Sequence, residues 1–426
     1  MERNDLRYQA YVEILKEELI PAMGCTEPIA LAYAAAKARE VLGVLPDSVQ
    51  LQVSGSIIKN VKSVIVPNTG HLKGMEAAVA AGIIAGSAEK ELEVISEVSE
   101  EKKSAIRDYL QTVPITIEHT EQGHVFDIVV TERCGQDYAR VRIADYHTNI
   151  CRIERNGTVL YEVPLLDETV QEDARADRSL LNMQDIWDFA ETADLRDVAD
   201  LLERQIRYNN AIAEEGLLGD YGANIGRVLL TTYGNDVSNR AKAKAAAGSD
   251  ARMNGCELPV IINSGSGNQG ITCSVPLIEY AKELHSGKEK LYRALIISNL
   301  VAIHEKTGIG TLSAYCGAVS AGAGAGAGIV YLCGDGYQAA IHTVVNALAI
   351  VSGIVCDGAK ASCAAKIASS VDAALLGYNM YKCNQEFKGG DGIVMKDIET
   401  TIKGIGRLGK DGMRQTNEEI IRLMMS

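Results

Sequence analysis

TLSAYCGAVSAGAGAGAGIVYLC, residues 311–333, together with GIVCDGAKASCAAK, residues 353–366, is the stretch on which the reading of this chain turns. Cys316 opens a small-residue tract, and Cys356 and Cys363 straddle a short Asp-Gly loop. Thiolates grouped on Gly-rich turns suit a soft metal centre, because such turns let backbone approach the metal and donate N–H groups to its sulfurs. Spacing alone leaves a second reading open, in which these are small buried apolar residues, as most free cysteines are. Zinc is a competing metal, since three thiolates plus water would suit it, but the close CxxC pairs usual in structural zinc sites are missing. GAGAGAG within the tract reads as a local packing device, too short for a silk-like or collagen-like period.

Composition bounds the rest. A chain of 426 residues buries a substantial core and is expected to divide into two domains. A formal charge of −14, with no basic cluster to offset it, argues against nucleic acid or an anionic membrane surface as partner. Ten cysteines in so long a chain do not suggest a secreted disulfide scaffold. The amphipathic start, MERNDLRYQAYVEILKEELI, lacks the apolar core of a signal peptide, and Ala318 to Leu332 is too short and Gly-interrupted to span a membrane. The expectation is a cytoplasmic protein, for which a homo-oligomer remains compatible.

Taken in order, Arg7 to Leu19 places Tyr8, Tyr11, Ile14, Leu15 and Leu19 on one helical face, and Pro21 ends that helix. GCTEP follows, then an Ala-rich helix from Ile29 to Leu42 beginning just past Pro28. Cys25 therefore falls at or just before a helix N-terminus, where free N–H groups favour a thiolate or bind a carboxylate. Thr26 is the more natural cap, and simple capping is the competing reading. Alternation at Ser48 to Val53, ITIE, HVFDIVVTE and ARVRIADY predicts strands, and ICRIE and TVLYE flank a hairpin turn at Asn156-Gly157. Residues 46–163 thus read as α+β with a largely antiparallel sheet. After Pro164 a charged stretch, LLDETVQEDARADR, reads as the domain boundary. Helical spacing dominates beyond it, with Asp194 an N-cap candidate for the stripe Leu195, Val198, Leu201, Leu202 and Ile206. The fold class is α+β: a small sheet domain packed on a larger, mainly helical domain. The boundaries expected are residues 1–45 for N-terminal helices carrying GCTEP, 46–168 for the sheet domain and 169–426 for the helical domain.

SAYCGA at Cys316 and CDGAKASC resemble the α domain of iron–sulfur L-serine dehydratases. PAMGCTEPIALA, AAAGSDARMNG and NSGSGNQGIT extend the resemblance to the single-chain branch that includes L-cysteine desulfidase and the UPF0597-type proteins. The resemblance implies that residues 46–168 correspond to the dehydratases' small β domain. It also implies that Cys316, Cys356 and Cys363 hold a [4Fe-4S] cluster; three thiolates leave one iron open as a Lewis acid, whereas four would suit electron transfer. The implied reaction is β-elimination from a small L-amino acid, cysteine giving pyruvate, ammonia and hydrogen sulfide. GCTEP, in place of the Ser-Ser-His text of serine dehydratases, tilts the branch toward cysteine, with L-serine the runner-up. Bacterial single-chain serine dehydratases can end in a cysteine that occupies the open iron, whereas this chain ends RLMMS.

Cys25 is the expected catalytic base, on the argument that a helix N-terminus lowers a thiol toward neutrality, and Glu27 is the alternative. Thr26 and Glu27 of GCTEP are expected at the substrate, and the resemblance implies that Ser264, Ser266 and Asn268 of NSGSGNQG, a loop whose donors and flexible backbone can wrap a carboxylate, wall the active site. Asn68, Thr69, His147 and Asn149 are second-tier contacts; His147 reads equally well as a strand-end histidine bonded to backbone. GIGRLGK, residues 404–410, matches most of a phosphate loop, but Asp411 stands where Ser or Thr must ligate Mg²⁺. Pyridoxal phosphate would need a Schiff-base lysine, and nothing singles out Lys59, Lys360 or Lys366. From another class, the chain reads as a non-catalytic amino-acid-binding or regulatory protein, with the α+β domain as sensor.

Overall fold

The computed structural model describes residues 1–120, 124–165, 176–310 and 312–425. Its strands are β1 (Pro21–Met23), β2 (Ser48–Ser54), β3 (Ile115–Thr120), β4 (Asp127–Cys134), β5 (Asp137–Ala144), β6 (Ile150–Arg155), β7 (Thr158–Glu162) and β8 (Pro259–Ile261). Six of them form one sheet in the order β3-β2-β4-β5-β6-β7, antiparallel except for the parallel pair β2–β3. That pair needs a crossover, which the helices Gly55–Val61, Gly74–Ala85 and Glu100–Thr112 supply. Val49, Leu51 and Val53 alternate with Gln50 and Gln52, so one face of β2 is buried while the other bonds Glu118 from both glutamines. The Ala-rich helix Thr26–Leu42 packs across β4 and β5. Asn156 and Gly157 both take positive φ, as the tight hairpin between β6 and β7 requires.

The larger part is helical. Its axis is the helix Gly317–Cys333, buried on every side among Gly267–Glu283, Lys288–Ile309, Tyr337–Val351 and Ser362–Lys382. Four glycines make that possible. A Cβ on Gly322 or Gly326 would press against Ser370 or Ala374 of one neighbour, and on Gly324 or Gly328 against the Ser298 or Ala294 carbonyl of another. Glycines four apart lie on one face, so the alternating tract opens two faces to close helix approach. Glycine disfavours an isolated helix by about 1 kcal/mol per residue, so tertiary packing supports this one.

Several boundaries differ from expectation. The helix after GCTEP starts at Thr26, a turn before Ile29, with Pro28 inside its first turn, and its cap position is Cys25 with no side-chain capping bond. Asp194 caps a short 3₁₀ turn, Leu195–Asp197, and the α-helix proper runs Ala199–Leu218. GIGRLGK lies largely in the helix Ile398–Arg407. β1 pairs with β8 in a two-stranded ribbon that no alternation announces, because three residues are too few to show a period. The boundary expected at 168/169 lies outside the described residues. Among the described residues no helix is long and apolar enough to cross a membrane.

Candidate active site

Tyr315 and Val355 form an isolated antiparallel bridge. Beside it the Cys316 N–H donates to the Ile354 carbonyl (3.1 Å) and the Cys356 N–H to the Ala314 carbonyl (2.6 Å). Side chains alternate across paired backbone, so both cysteines leave on the face opposite the buried Tyr315 ring. Cys363 joins them from the first turn of Ser362–Lys382, its thiol donating to the Gly358 carbonyl at 3.6 Å. Gly358 has φ +94°, and a Cβ there would overlap the Lys59 carbonyl, so the Asp-Gly loop is held tightly on the helix Gly55–Val61. Lys366 clamps the loop by donating to the Val355 carbonyl (2.8 Å) and to Asp357.

All three cysteines line one cavity of about 110 Å³ between the sheet region and the helices. Burial pushes the Cys316 thiol up to about 12, and the neighbouring Cys356 and Cys363 add to the shift. Cys363 is raised by burial as well, with Cys356 contributing. Such a trio resists holding several negative charges unless a cation joins it. Among the described residues no three His, Cys, Asp or Glu side chains close on one point as the ligands of a single ion do.

Cys25, Glu27, His147, Ser264, Ser266 and Asn268 line the same cavity. Glu27 is its polar centre: Oε2 accepts from the Cys25 thiol (3.1 Å) and the Thr26 hydroxyl (3.1 Å), and Oε1 from Asn60 Nδ2 (2.9 Å). His147 Nε2 lies 3.9 Å from Oε1, and its ring stands edge-on to Phe126. Burial works against the Glu27 anion, yet His147 first and Cys25 after it hold its carboxyl down at about 2. Cys25 corrects the expectation of a lowered thiol. Burial first, then the Glu27 charge, push it well above the usual value. Thr26 stands behind the wall, also bonding the Gly265 carbonyl (3.0 Å).

The loop after β8 is a tight turn closed by reciprocal backbone bonds between Asn263 and Ser266. A buried amide chain braces it: Asn263 donates to Asn299 Oδ1 (2.9 Å), which also accepts from Gln205 (3.0 Å). Asn68, Thr69 and Asn149 are not brought to the cavity. Asn68 binds the Ile95 carbonyl (2.8 Å), Thr69 the Val66 carbonyl (2.7 Å), and Asn149 the Ala144 carbonyl (2.9 Å) while lining a separate shallow groove.

A family model described as serine dehydratase alpha chain matches residues 89–422. The chain belongs to the serine dehydratase alpha chain family. The description names a dehydratase, a lyase-type enzyme. Full-length relatives accompany that match, each named a UPF0597 protein. One from Desulfitobacterium hafniense (strain Y51) is 61% identical, covering 100% of this chain and 99% of its own. One from Lachnoclostridium phytofermentans is 52% identical over 98% of this chain and 100% of its own. A third, from Treponema denticola, is 47% identical over 98% of each.

In this member of the serine dehydratase alpha chain family, sequence reasoning missed Asn60, Arg252, Gln269 and Lys306, all at the cavity. Burial lowers Lys306 to about 8, with Cys356 and Cys316 opposing the shift. Lys59, buried nearby, is lowered for the same first reason and donates to Asn417 Oδ1 (2.7 Å). Arg252 sits inside AAAGSDARMNG and Gln269 inside NSGSGNQG, so a charged or amide residue within each small-residue motif was the available signal.

Proposed function

We propose that this cavity is the active site of an iron–sulfur lyase that removes the β-substituent of a small L-amino acid. L-cysteine is the leading substrate, giving hydrogen sulfide, pyruvate and ammonia, and L-serine is the runner-up. The observation that carries the reading is the sharing of one cavity by three cysteines from two separate segments and by the hydrogen-bonded unit Cys25–Glu27–Asn60.

Cys316, Cys356 and Cys363 are the proposed holders of a [4Fe-4S] cluster, and the residues fit it. Ligands of one zinc at about 2.3 Å would crowd within about 4 Å of each other, whereas a cluster spreads its sulfurs over separate irons. When bound, such a cluster supplies Lewis acidity toward the leaving group through an open iron. The chain's own residues do the rest. Cys25 and Glu27 share one proton, which rests on sulfur. The proposed base lies in this pair: Glu27, already ionised, can accept the α-proton as the site stands, and Cys25 can do so only once its own proton has left. Ser264, Ser266 and Asn268 bound the substrate with a braced loop, and His147 closes it from the sheet side. The preference for cysteine rests on GCTEP, residues 24–28.

The test is anaerobic purification, iron and sulfide analysis, and assay of pyruvate with L-cysteine and L-serine. About four irons per chain and pyruvate from L-cysteine support the reading. Iron-replete protein that turns over neither amino acid overturns it.

A further inference from the structure

Polar atoms left without partners in a protein interior are costly and uncommon, and in this cavity they are concentrated. Arg252 is 2% exposed, Asn60 6% and Gln269 5%. The Arg252 Nε–H, Asn60 Oδ1, Gln269 Oε1 and His147 Nε2 are each buried and have no hydrogen-bond partner, and all four residues line the cavity. Arg252 Nη1 donates to Asn268 Oδ1 (3.1 Å), and among the described residues no carboxylate reaches ion-pair distance of the guanidinium. A buried cation in that state calls for an anionic acceptor.

We propose that Arg252 is the carboxylate-recognition residue of this cavity: its guanidinium, seated over Gly267, takes the α-carboxylate of an L-α-amino acid whose ammonium group goes to Asn60 and Gln269. This rests on the lyase reading for the identity of the site and adds the substrate's orientation within it. The pattern of unmet groups selects a zwitterion. One charged donor, two neutral acceptors and the His147 ring nitrogen, which can serve as either, ask for a ligand with an anionic acceptor and a donor close together. Phosphate or a plain carboxylate would meet Arg252 but leave both amide oxygens unpaired, and would add a negative charge near Glu27.

Two glycines hold the recognising side chains in place. A Cβ on Gly267 would overlap Arg252 Nε, so the guanidinium occupies the space a side chain would fill at the N-terminus of Gly267–Glu283. A Cβ on Gly317 would come within 2.6–2.8 Å of the Gln269 amide, so Gln269 lies directly against the residue after Cys316. The ammonium end of the ligand is thereby placed beside the cysteine trio.

The test is calorimetric titration of the anaerobically purified full chain with L-alanine, which has no β leaving group, and with L-alaninamide and propionate. The wild type should prefer L-alanine over both. Arg252→Gln, with iron content unchanged, should weaken L-alanine between about tenfold and a hundredfold and bind the acid and the amide alike. Arg252→Lys should recover part of the preference for the acid. Gly267→Ala, which displaces the guanidinium without removing it, should lose that preference and covers the case in which Arg252→Gln does not fold. Retention of the wild-type preference in both Arg252→Gln and Gly267→Ala overturns the inference, while pyruvate formation by the wild type would leave the lyase reading standing. A wild type that binds propionate as tightly as L-alanine overturns the zwitterion assignment itself. Absence of pyruvate from either substrate, with L-alanine preference intact, sinks the lyase reading and leaves the Arg252 assignment supported.

Discussion

The Cys25 thiol donates to Glu27 across 3.1 Å in a site where both residues are buried. Cys25 holds the cap position of Thr26–Leu42, where the helix dipole favours a thiolate. That effect is worth about 0.3–1 kcal/mol, under one pKa unit, while full burial can shift a group by about 3–5 units. Burial wins, and the adjacent carboxylate reinforces it. The thiol is thereby a proton donor to a carboxylate held ionised.

If this pair serves as the base, Cys25→Ser should keep the iron and the visible absorbance while turnover falls about a hundredfold or more. Glu27→Gln should do the same, because the amide cannot take the proton. Loss of iron in Cys25→Ser would make Cys25 a fourth ligand; full activity would remove it from the chemistry.

Glu27 also ties stability to pH. Its folded value is about 2 against an ordinary 4.5, so its ionised contacts stabilise the fold above about 4.5 and are lost as pH falls toward 2. In metal-free protein, the wild type should melt above Glu27→Gln at neutral pH, and the gap should close across that window. A gap that stays constant down to pH 2 would show that the carboxylate charge is not what matters.

Each of Cys316→Ala, Cys356→Ala and Cys363→Ala should drop iron from about four per chain to below one. Far-ultraviolet circular dichroism of the metal-free variants should match the wild type. A variant that keeps its iron removes that cysteine from the proposed ligand set.

Gly324→Ala should cost about 1–3 kcal/mol in urea unfolding of the metal-free protein, because the new methyl meets the Ser298 carbonyl. Gly353→Ala is the control. No atom lies within 4 Å of its Cβ position, so the change should stay within about 0.5 kcal/mol. Equal effects at the two positions would refute the close-packing account of the glycine tract.

Local pattern was enough for much of the fold. Polar–apolar alternation marked β2 and β5, where burial alternates along the strand, whereas β4 is buried over most of its length. Asn156-Gly157 marked its hairpin through the positive φ both residues adopt. The glycine tract was legible as a packing device but not as a helix, since glycine's own preference opposes one.

For the site, the sequence by itself determined the inventory: three cysteines on small-residue loops, GCTEP before a helix, and a donor-rich loop after a short apolar run. Residue type and neighbours fix such features, and they are readable one segment at a time. Only the tertiary structure decided what meets what. The Tyr315–Val355 bridge sets Cys316 beside Cys356, and helix packing brings in Arg252 and Lys306 as buried charges. Burial of a charge depends on contacts between segments far apart in the chain, which no local period encodes. The same physics reversed the expected state of Cys25: its place at a helix start is written in the sequence, but its desolvation beside Glu27 exists only once the chain has closed around both.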